Sequence, residues 1–221
     1  MAIAIALLGI QFAIDRKWLC YFIVLFLAAT FHPYVLVFAL VPFLMFKPWS
    51  KGTYILIAGT LITGIMLEAL LGTIIDMTSM IGDSYSEEDL IGDGINIFRV
   101  LVSNVPLILT FLYRKHIFRD STTAEYLVIN LSMINGAIMF VGVFGTAIYF
   151  SRLASYFTVA QCVALPWILS RLPQNHKRFF TFFMIIGYIG FFLYANILVN
   201  RFDSGFARIT LFEYVNEYLL K

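Results

Sequence analysis

Residues 146–157 read TAIYFSRLASYF and carry one arginine where two apolar runs almost touch. Apolar residues continue up to Phe150 and resume at Leu153, with only Ser151 and Arg152 between them. No proline, glycine or polar linker separates the two runs here. Two segments of membrane-spanning length joined so closely predict a chain that crosses a membrane repeatedly, with Arg152 near one surface.

The composition agrees with a membrane-embedded chain. Hydrophobic residues make up 61% of the 221 residues and charged residues only 13%. Soluble domains are about half apolar and about a quarter charged, so this balance indicates an integral membrane protein. Long apolar runs favour helices over the alternating strands of an outer-membrane barrel. The predicted fold class is all-α, a polytopic transmembrane bundle of about six to seven membrane segments, one of them re-entrant or broken.

Apolar stretches follow one another along most of the chain. They span residues 1–14, 18–46, 54–75, 95–113, 125–150, 153–172 and 179–199. The first is short for a span and lacks the basic start of a signal peptide, which indicates either missing upstream helices or a start at an internal methionine. We expect one transmembrane domain over residues 1–199 and an extracytoplasmic tail over residues 200–221.

The charges between these stretches predict the orientation of the chain. Segments 47–51, 114–119 and 171–178 are basic, whereas residues 76–94 include several carboxylates and no lysine or arginine. Under the positive-inside rule the basic segments face the cytoplasm, and the acidic loop, residues 151–152 and the tail face outside. We expect the acidic loop to be a solvated lid over an external site.

The stretch 18–46 does not fit a simple span. As one helix it would measure about 43 Å, which exceeds the hydrocarbon thickness unless it tilts strongly. The residue before a proline is disfavoured in helical geometry, so the sequence His32-Pro33 predicts a break. Two interpretations stay open: a re-entrant hairpin of two half-helices entered from the inside, and a tilted, kinked single span.

Arginine dominates the cationic residues predicted outside. Arg99 lies early in its apolar stretch, Arg152 lies between two stretches, and Arg201 and Arg208 belong to the tail. Guanidinium groups match phosphate oxygens bidentately, so this set predicts a phosphorylated ligand on the outer side. Tyr156, one helical turn after Arg152, adds a hydroxyl on the same face. The alternative for Arg152 is snorkelling to lipid phosphates.

Two residues are candidates for proton transfer. His32 is the histidine able to reach the outer half, where it either acts as a general base near neutral pH or only fills the break. Glu68 lies inside an apolar stretch, where a carboxylate is either functional or paired with Arg99 or Arg152. Other polar residues in the spans are expected to bond neighbouring helices. These are Asn104, Asn130, Asn135 and Gln161. The two cysteines lack the spacing of a metal site, so no metal is expected.

Three segments resemble the EpsG family of bacterial membrane proteins. They are LAATFHPYVLVFALVPFLMF at 27–46, GDGINIFRVLVSNVPLIL at 92–109 and SRLASYFTVAQCVALPWIL at 151–169. That family makes exopolysaccharide and is similar to Wzy-type polysaccharide polymerases. The resemblance implies a glycosyltransferase of exopolysaccharide biosynthesis that joins oligosaccharide repeats carried on undecaprenyl diphosphate. It also implies a multi-pass protein of the bacterial cytoplasmic (inner) membrane that works at the outer face without a metal or nucleotide cofactor.

The resemblance extends to single residues. His32 matches the family's histidine, and Arg99 and Arg152 match its arginines; the proline after His32 departs from the small residue that is more usual there. Family members are usually longer, which implies an N-terminally truncated member. The implied partners are the lipid-diphosphate-linked oligosaccharide, membrane lipids and other polysaccharide assembly proteins, with no nucleic acid. Two alternatives remain: a transporter or flippase for the same lipid-linked sugar, and a non-catalytic subunit of the assembly machinery.

Overall fold

The computed structural model describes residues 1–66, 73, 94–144 and 147–194, and all regular structure within them is helical. The helices are α1 (Ala2–Ile14), α2 (Trp18–Ala29), a 3₁₀ helix (Pro33–Leu44), α3 (Lys51–Ile65), α4 (Ile97–Leu112), α5 (Arg114–Ile117), α6 (Thr123–Val141), α7 (Ala147–Arg171) and α8 (Gln174–Leu193). The predicted all-α class is therefore confirmed for the described part of the chain.

Several helices have the length and composition of membrane spans. Among the described residues, three are long and apolar enough to cross a bilayer: Thr123–Val141, Phe150–Arg171 and Gln174–Leu193. Four shorter helices are also apolar: Ala2–Ile14, Trp18–Ala29, Pro33–Leu44 and Ile97–Leu112. The chain is thus an integral membrane protein, and the total of six to seven membrane segments stays a prediction.

The stretch 18–46 folds back on itself. The hydroxyl of Tyr21 in α2 donates a hydrogen bond to the carbonyl of Phe38 in the 3₁₀ helix. In one continuous helix these residues would lie about 25 Å apart along the axis, so the bond requires two antiparallel halves. The chain reverses at His32, whose backbone is extended (φ −158°, ψ 113°), as expected for a residue before proline. Of the two interpretations, the structure has the hairpin.

The second half of this hairpin is a 3₁₀ helix, and its buried side chains repeat every three residues. Val35, Phe38, Val41 and Leu44 are all buried, and three residues per turn align them in one row. The carbonyls at its end are satisfied from another helix: Nδ2 of Asn130 donates to the carbonyl oxygens of Leu44 (2.7 Å) and Phe46 (2.8 Å). Irregular backbone inside an apolar bundle requires such partners.

Helix α6 is the most buried of the described helices. It packs against α3, α4, α7 and the 3₁₀ helix. Its first turn carries a capping box between Thr122 and Glu125. The Glu125 carboxylate also accepts hydrogen bonds from Trp167 (2.7 Å) and Arg171 (3.1 Å) near the end of α7. These contacts join the start of α6 to the end of α7.

The turn between α6 and α7 corrects the predicted boundary at residues 151–152. Helix α6 ends at Val141, a turn covers residues 142–144, and α7 begins at Ala147. Arg152 therefore lies in the second turn of α7 rather than in a connection between two spans. Hydrophobic counting missed the turn because Val143 and Phe144 are themselves apolar.

The chain divides into two compact units, Met1–Pro173 and Gln174–Lys221. The first contains α1 to α7 and the 3₁₀ helix. The second contains α8 among its described residues. The predicted tail, residues 200–221, lies outside the described residues, so the division into a domain over 1–199 and a tail stays a prediction.

Candidate functional site

His32 lies at the reversal of the hairpin and contacts α7. Its side chain is exposed, and its Nδ1 atom is 2.7 Å from the hydroxyl oxygen of Tyr156. The imidazole also lies beside the Tyr34 ring, with 5.3 Å between ring centroids. The structure thus joins two residues that were predicted separately, one as a base and one as a ligand contact.

The aromatic core explains why these two residues meet. Phe38 of the 3₁₀ helix is buried and packs against the Tyr156 ring at 6.4 Å and the Phe157 ring at 5.8 Å. Tyr156 and Phe157 are themselves buried. This contact fixes the hairpin against α7 at a height that brings His32 to the Tyr156 hydroxyl.

Helix lengths place the pair at matching heights in both elements. At 1.5 Å per residue, Tyr156 lies about 22 Å along α7 from Arg171. By the same measure α2 extends about 17 Å from Trp18 to Ala29, three residues before His32. Since Arg171 and Trp18 both adjoin basic residues, the pair lies in the half of the bundle far from the basic segments.

Arg152 lies one helical turn before Tyr156 on α7. Residues four apart share a helix face, so Arg152 belongs to the face that carries Tyr156. Arg152 is exposed, and its backbone carbonyl accepts a hydrogen bond from the Ser155 hydroxyl (2.6 Å). Arg152 therefore lies on the same face of α7 as the tyrosine that contacts His32.

Arg99 lies at the start of α4, and a backbone hydrogen bond connects this start to the α6–α7 turn. Asn96 caps this helix by accepting a hydrogen bond from the Phe98 amide (2.9 Å), and Arg99 follows in the first turn, exposed. The amide of Ile95 donates to the carbonyl of Gly142 (2.7 Å). The starts of α4 and α7 consequently lie at the same end of the bundle.

Gly142 is the residue on which the starts of these two helices pack. A methyl group at this position would collide with the Ile95 side chain and would come 2.9 Å from Cβ of Phe150. Ile95 precedes α4 and Phe150 belongs to the first turn of α7. Both pack on Gly142, which has no side chain to keep them apart. The sequence analysis did not single out Gly142, although a glycine close to the end of an apolar stretch is a recognisable sign of a helix end.

Further along α4 and α7 from the candidate site, amide side chains form hydrogen bonds between the helices, as predicted. Asn104 of α4 donates to the Gly136 carbonyl of α6 (3.1 Å). Asn135 of α6 bonds Gln161 of α7, and Gln161 in turn donates to the Val102 carbonyl of α4 (3.3 Å). The prediction that these residues, together with Asn130, bond neighbouring helices is confirmed.

Several predicted site residues cannot be placed relative to this cluster. Glu68, Arg201 and Arg208 lie outside the described residues, as does the acidic loop except for Gly94. Their assignment as base, phosphate ligands and lid stays a prediction. The cluster described by the structure thus consists of His32 and Tyr156 in contact, with Arg152 in the second turn of α7 and Arg99 in the first turn of α4.

Comparison with known proteins identifies a family for nearly the whole chain. The sequence pattern of the EpsG family matches residues 1–214. No curated protein and no solved structure matches the chain. The match includes the hairpin with His32 and the helices with Arg99 and Arg152, in agreement with the resemblance drawn from their sequence segments. Because it covers far more than half of the residues, the chain belongs to the EpsG family.

Proposed function

We propose that this protein is a membrane polysaccharide polymerase of exopolysaccharide biosynthesis. It joins oligosaccharide repeat units carried on undecaprenyl diphosphate at the outer face of the bacterial cytoplasmic membrane. Membership of the EpsG family supports this class of activity. The observation that carries the proposal is the contact between His32 and Tyr156, because it links a histidine to the helix face that carries Arg152.

The reaction requires two kinds of group in one place. The acceptor sugar hydroxyl must lose a proton, and the diphosphate leaving group must be stabilised as charge develops on it. His32 is exposed and takes the proton; Glu68 is the alternative base. Arg152 and Arg99 hold the diphosphate, helped by Arg201 or Arg208.

The ends of two helices add to the positive potential of the site. Helices α4 and α7 both begin at the end of the bundle where Ile95 meets Gly142. A helix N-terminus carries a partial positive charge and exposed amides, which favour a bound anion. In the proposed site, a phosphate group bound by Arg99 and Arg152 is also stabilised by the N-terminal ends of two helix dipoles.

Charge along the same helices supports an outward-facing site. Helix α4 starts near Arg99 and leads into the basic segment 114–119, and α7 starts near Arg152 and leads into the basic segment 171–178. Clustered basic residues favour the cytoplasmic side. The lone arginines at the helix starts then face outward, where a lipid-linked sugar is accessible to water.

Replacement of Arg152 tests the proposal in cells. In Arg152→Ala, the diphosphate loses a charged, bidentate partner, so polymer is expected to disappear while the protein still inserts into the membrane. Arg119→Ala is the matched control, since Arg119 is an exposed arginine in the predicted cytoplasmic segment. Polymer of normal length and amount in Arg152→Ala would contradict the proposal.

The location of unused substrate separates polymerisation from transport. If the protein polymerises, deletion of its gene leaves lipid-linked repeats on the outer face of the membrane. If it is a flippase, the same repeats accumulate on the inner face. A non-catalytic assembly subunit would tolerate His32→Ala with unchanged polymer.

A further inference from the structure

Tyr156 is a buried tyrosine whose hydroxyl meets an exposed histidine. Its side chain is 6% exposed, and its ring packs edge-on against Phe38 with an interplanar angle of 71°. Phe38 itself is only 2% exposed. A phenol enclosed in this way has its hydroxyl directed to His32 and cannot swing towards a bound sugar without disrupting the aromatic core.

The contact uses only one of the two imidazole nitrogens. Nδ1 of His32 is 2.7 Å from the Tyr156 oxygen, which leaves Nε2 for a substrate. Tyrosine can donate or accept a hydrogen bond, so two arrangements fit this distance. Only the arrangement in which Nδ1–H donates to Tyr156 leaves a lone pair on Nε2. After Nε2 takes a proton, Nδ1–H still donates to the same oxygen.

The geometry points to Tyr156 as a positioning residue that orients the His32 ring and holds it in the tautomer with a basic Nε2. This inference rests on the proposed function, in which His32 is the base. The role is similar to that of a carboxylate that orients a catalytic histidine, except that the phenol is neutral. It differs from the predicted role of Tyr156 as a direct substrate ligand, because the hydroxyl is occupied by His32.

In the transfer step, a proton moves to His32 and the donor sugar moves to the acceptor oxygen. Nε2 of His32 takes the proton of the acceptor hydroxyl as the acceptor oxygen forms a bond to the anomeric carbon of the donor sugar. The bond between that carbon and the diphosphate oxygen breaks, and the diphosphate leaves with the electron pair. Arg152, on the same face of α7 as Tyr156, stabilises the negative charge that develops on the leaving group.

Tyr156→Phe tests the role because it keeps the ring and removes only the hydroxyl. We expect kcat for elongation by the full chain in membranes to fall about ten- to a hundredfold, with KM for the lipid-linked donor unchanged. Added to His32→Ala, the same change should cause no further loss, because a positioning residue acts only through the base that it positions. A raised KM with unchanged kcat would overturn the inference in favour of direct substrate binding.

Tyr21→Phe is the matched control. Tyr21 is also a buried tyrosine with a hydrogen bond in the same hairpin, but its partner is the Phe38 carbonyl rather than His32. We expect this variant to lower the melting temperature and to leave kcat at the wild-type value. If Tyr156→Phe also lowers only the melting temperature, its role is structural and the inference is wrong.

A second pair of variants covers the case in which Tyr156→Phe is poorly folded. Glutamine and methionine have side chains of similar length, but only glutamine carries an oxygen that can accept from Nδ1–H, so Tyr156→Gln should keep a higher kcat than Tyr156→Met. Equal kcat values for the two would overturn the inference. Full activity in His32→Ala would instead contradict the assignment of the base in the proposed function.

Discussion

Asn130 provides the donor for two backbone carbonyls at the end of the 3₁₀ helix. Its amide is fully buried and bonds the carbonyl oxygens of Leu44 and Phe46. Neither water nor a regular helix offers these oxygens a partner inside an apolar bundle. One amide side chain therefore stabilises the irregular half of the hairpin that carries His32.

Replacement of this amide should destabilise the protein. In Asn130→Ala both carbonyls lose their donor, and we expect the free energy of unfolding to fall by about 1–3 kcal/mol. The measurement is thermal unfolding of the purified protein in detergent. Ser170→Ala is the control, because the exposed Ser170 hydroxyl bonds only the Trp167 carbonyl of its own helix. Equal melting temperatures for the two variants would show that Asn130 does not have this role.

At the scale of elements, the hairpin formed by α2 and the 3₁₀ helix brings His32 to the site. Its two halves are linked by the Tyr21–Phe38 hydrogen bond, and α1 packs against both. The turn lies at His32-Pro33, where the backbone leaves helical geometry. A continuous span would instead carry residues 33–44 away from α2.

Spin labels distinguish these two geometries. Leu19 in α2 and Leu40 in the 3₁₀ helix are both exposed, and labels there require both native cysteines to be replaced by alanine. In the hairpin the Tyr21–Phe38 hydrogen bond puts the two labelled positions at a similar level of neighbouring helices, so a distance of about 20 Å or less is expected from double electron–electron resonance. A continuous helix would separate the two positions by about 32 Å, and that result would rule out the hairpin.

The contact of two helix starts on Gly142 gives a second prediction at this scale. Gly142→Ala forces Ile95 and Phe150 apart, which should shift the starts of α4 and α7 and lower both the elongation rate and the melting temperature. Overpacking of this kind costs about 1–3 kcal/mol. Gly59→Ala is the control, since a methyl group at that position in α3 meets nothing within 4 Å beyond its chain neighbours and its own helix backbone. A wild-type elongation rate in Gly142→Ala would show that packing on Gly142 does not position the site.

The elements differ in how far the sequence predicts them. The break at His32 was predictable because proline restricts the residue before it, and the amides of Asn104 and Asn135 were predictable because apolar spans leave polar side chains few other partners. The α6–α7 turn was missed, since Gly142 is the one local signal in residues 142–144 and Val143 and Phe144 after it are apolar. The contact between His32 and Tyr156 depends on tertiary packing of distant segments, which local patterns do not report.

At the largest scale, the unit Met1–Pro173 has two chemically different ends. One end holds His32, Tyr156 and the helix starts with Arg99 and Arg152. The other end joins Glu125 to Arg171 by an ion pair of 3.1 Å and adjoins the basic segments. An ion pair there stabilises the packing of α6 on α7, whereas in the proposed function the arginines of the first end bind the diphosphate of the ligand.

The most direct test of the proposed polymerase activity is elongation of lipid-diphosphate-linked oligosaccharide repeats by the purified full chain in vesicles. The wild-type protein and Arg119→Ala should produce a ladder of longer products. Arg152→Ala and His32→Ala should each lower the rate by at least about a hundredfold. Elongation by these two variants at the wild-type rate, or no elongation by the wild-type protein, would contradict the proposed activity.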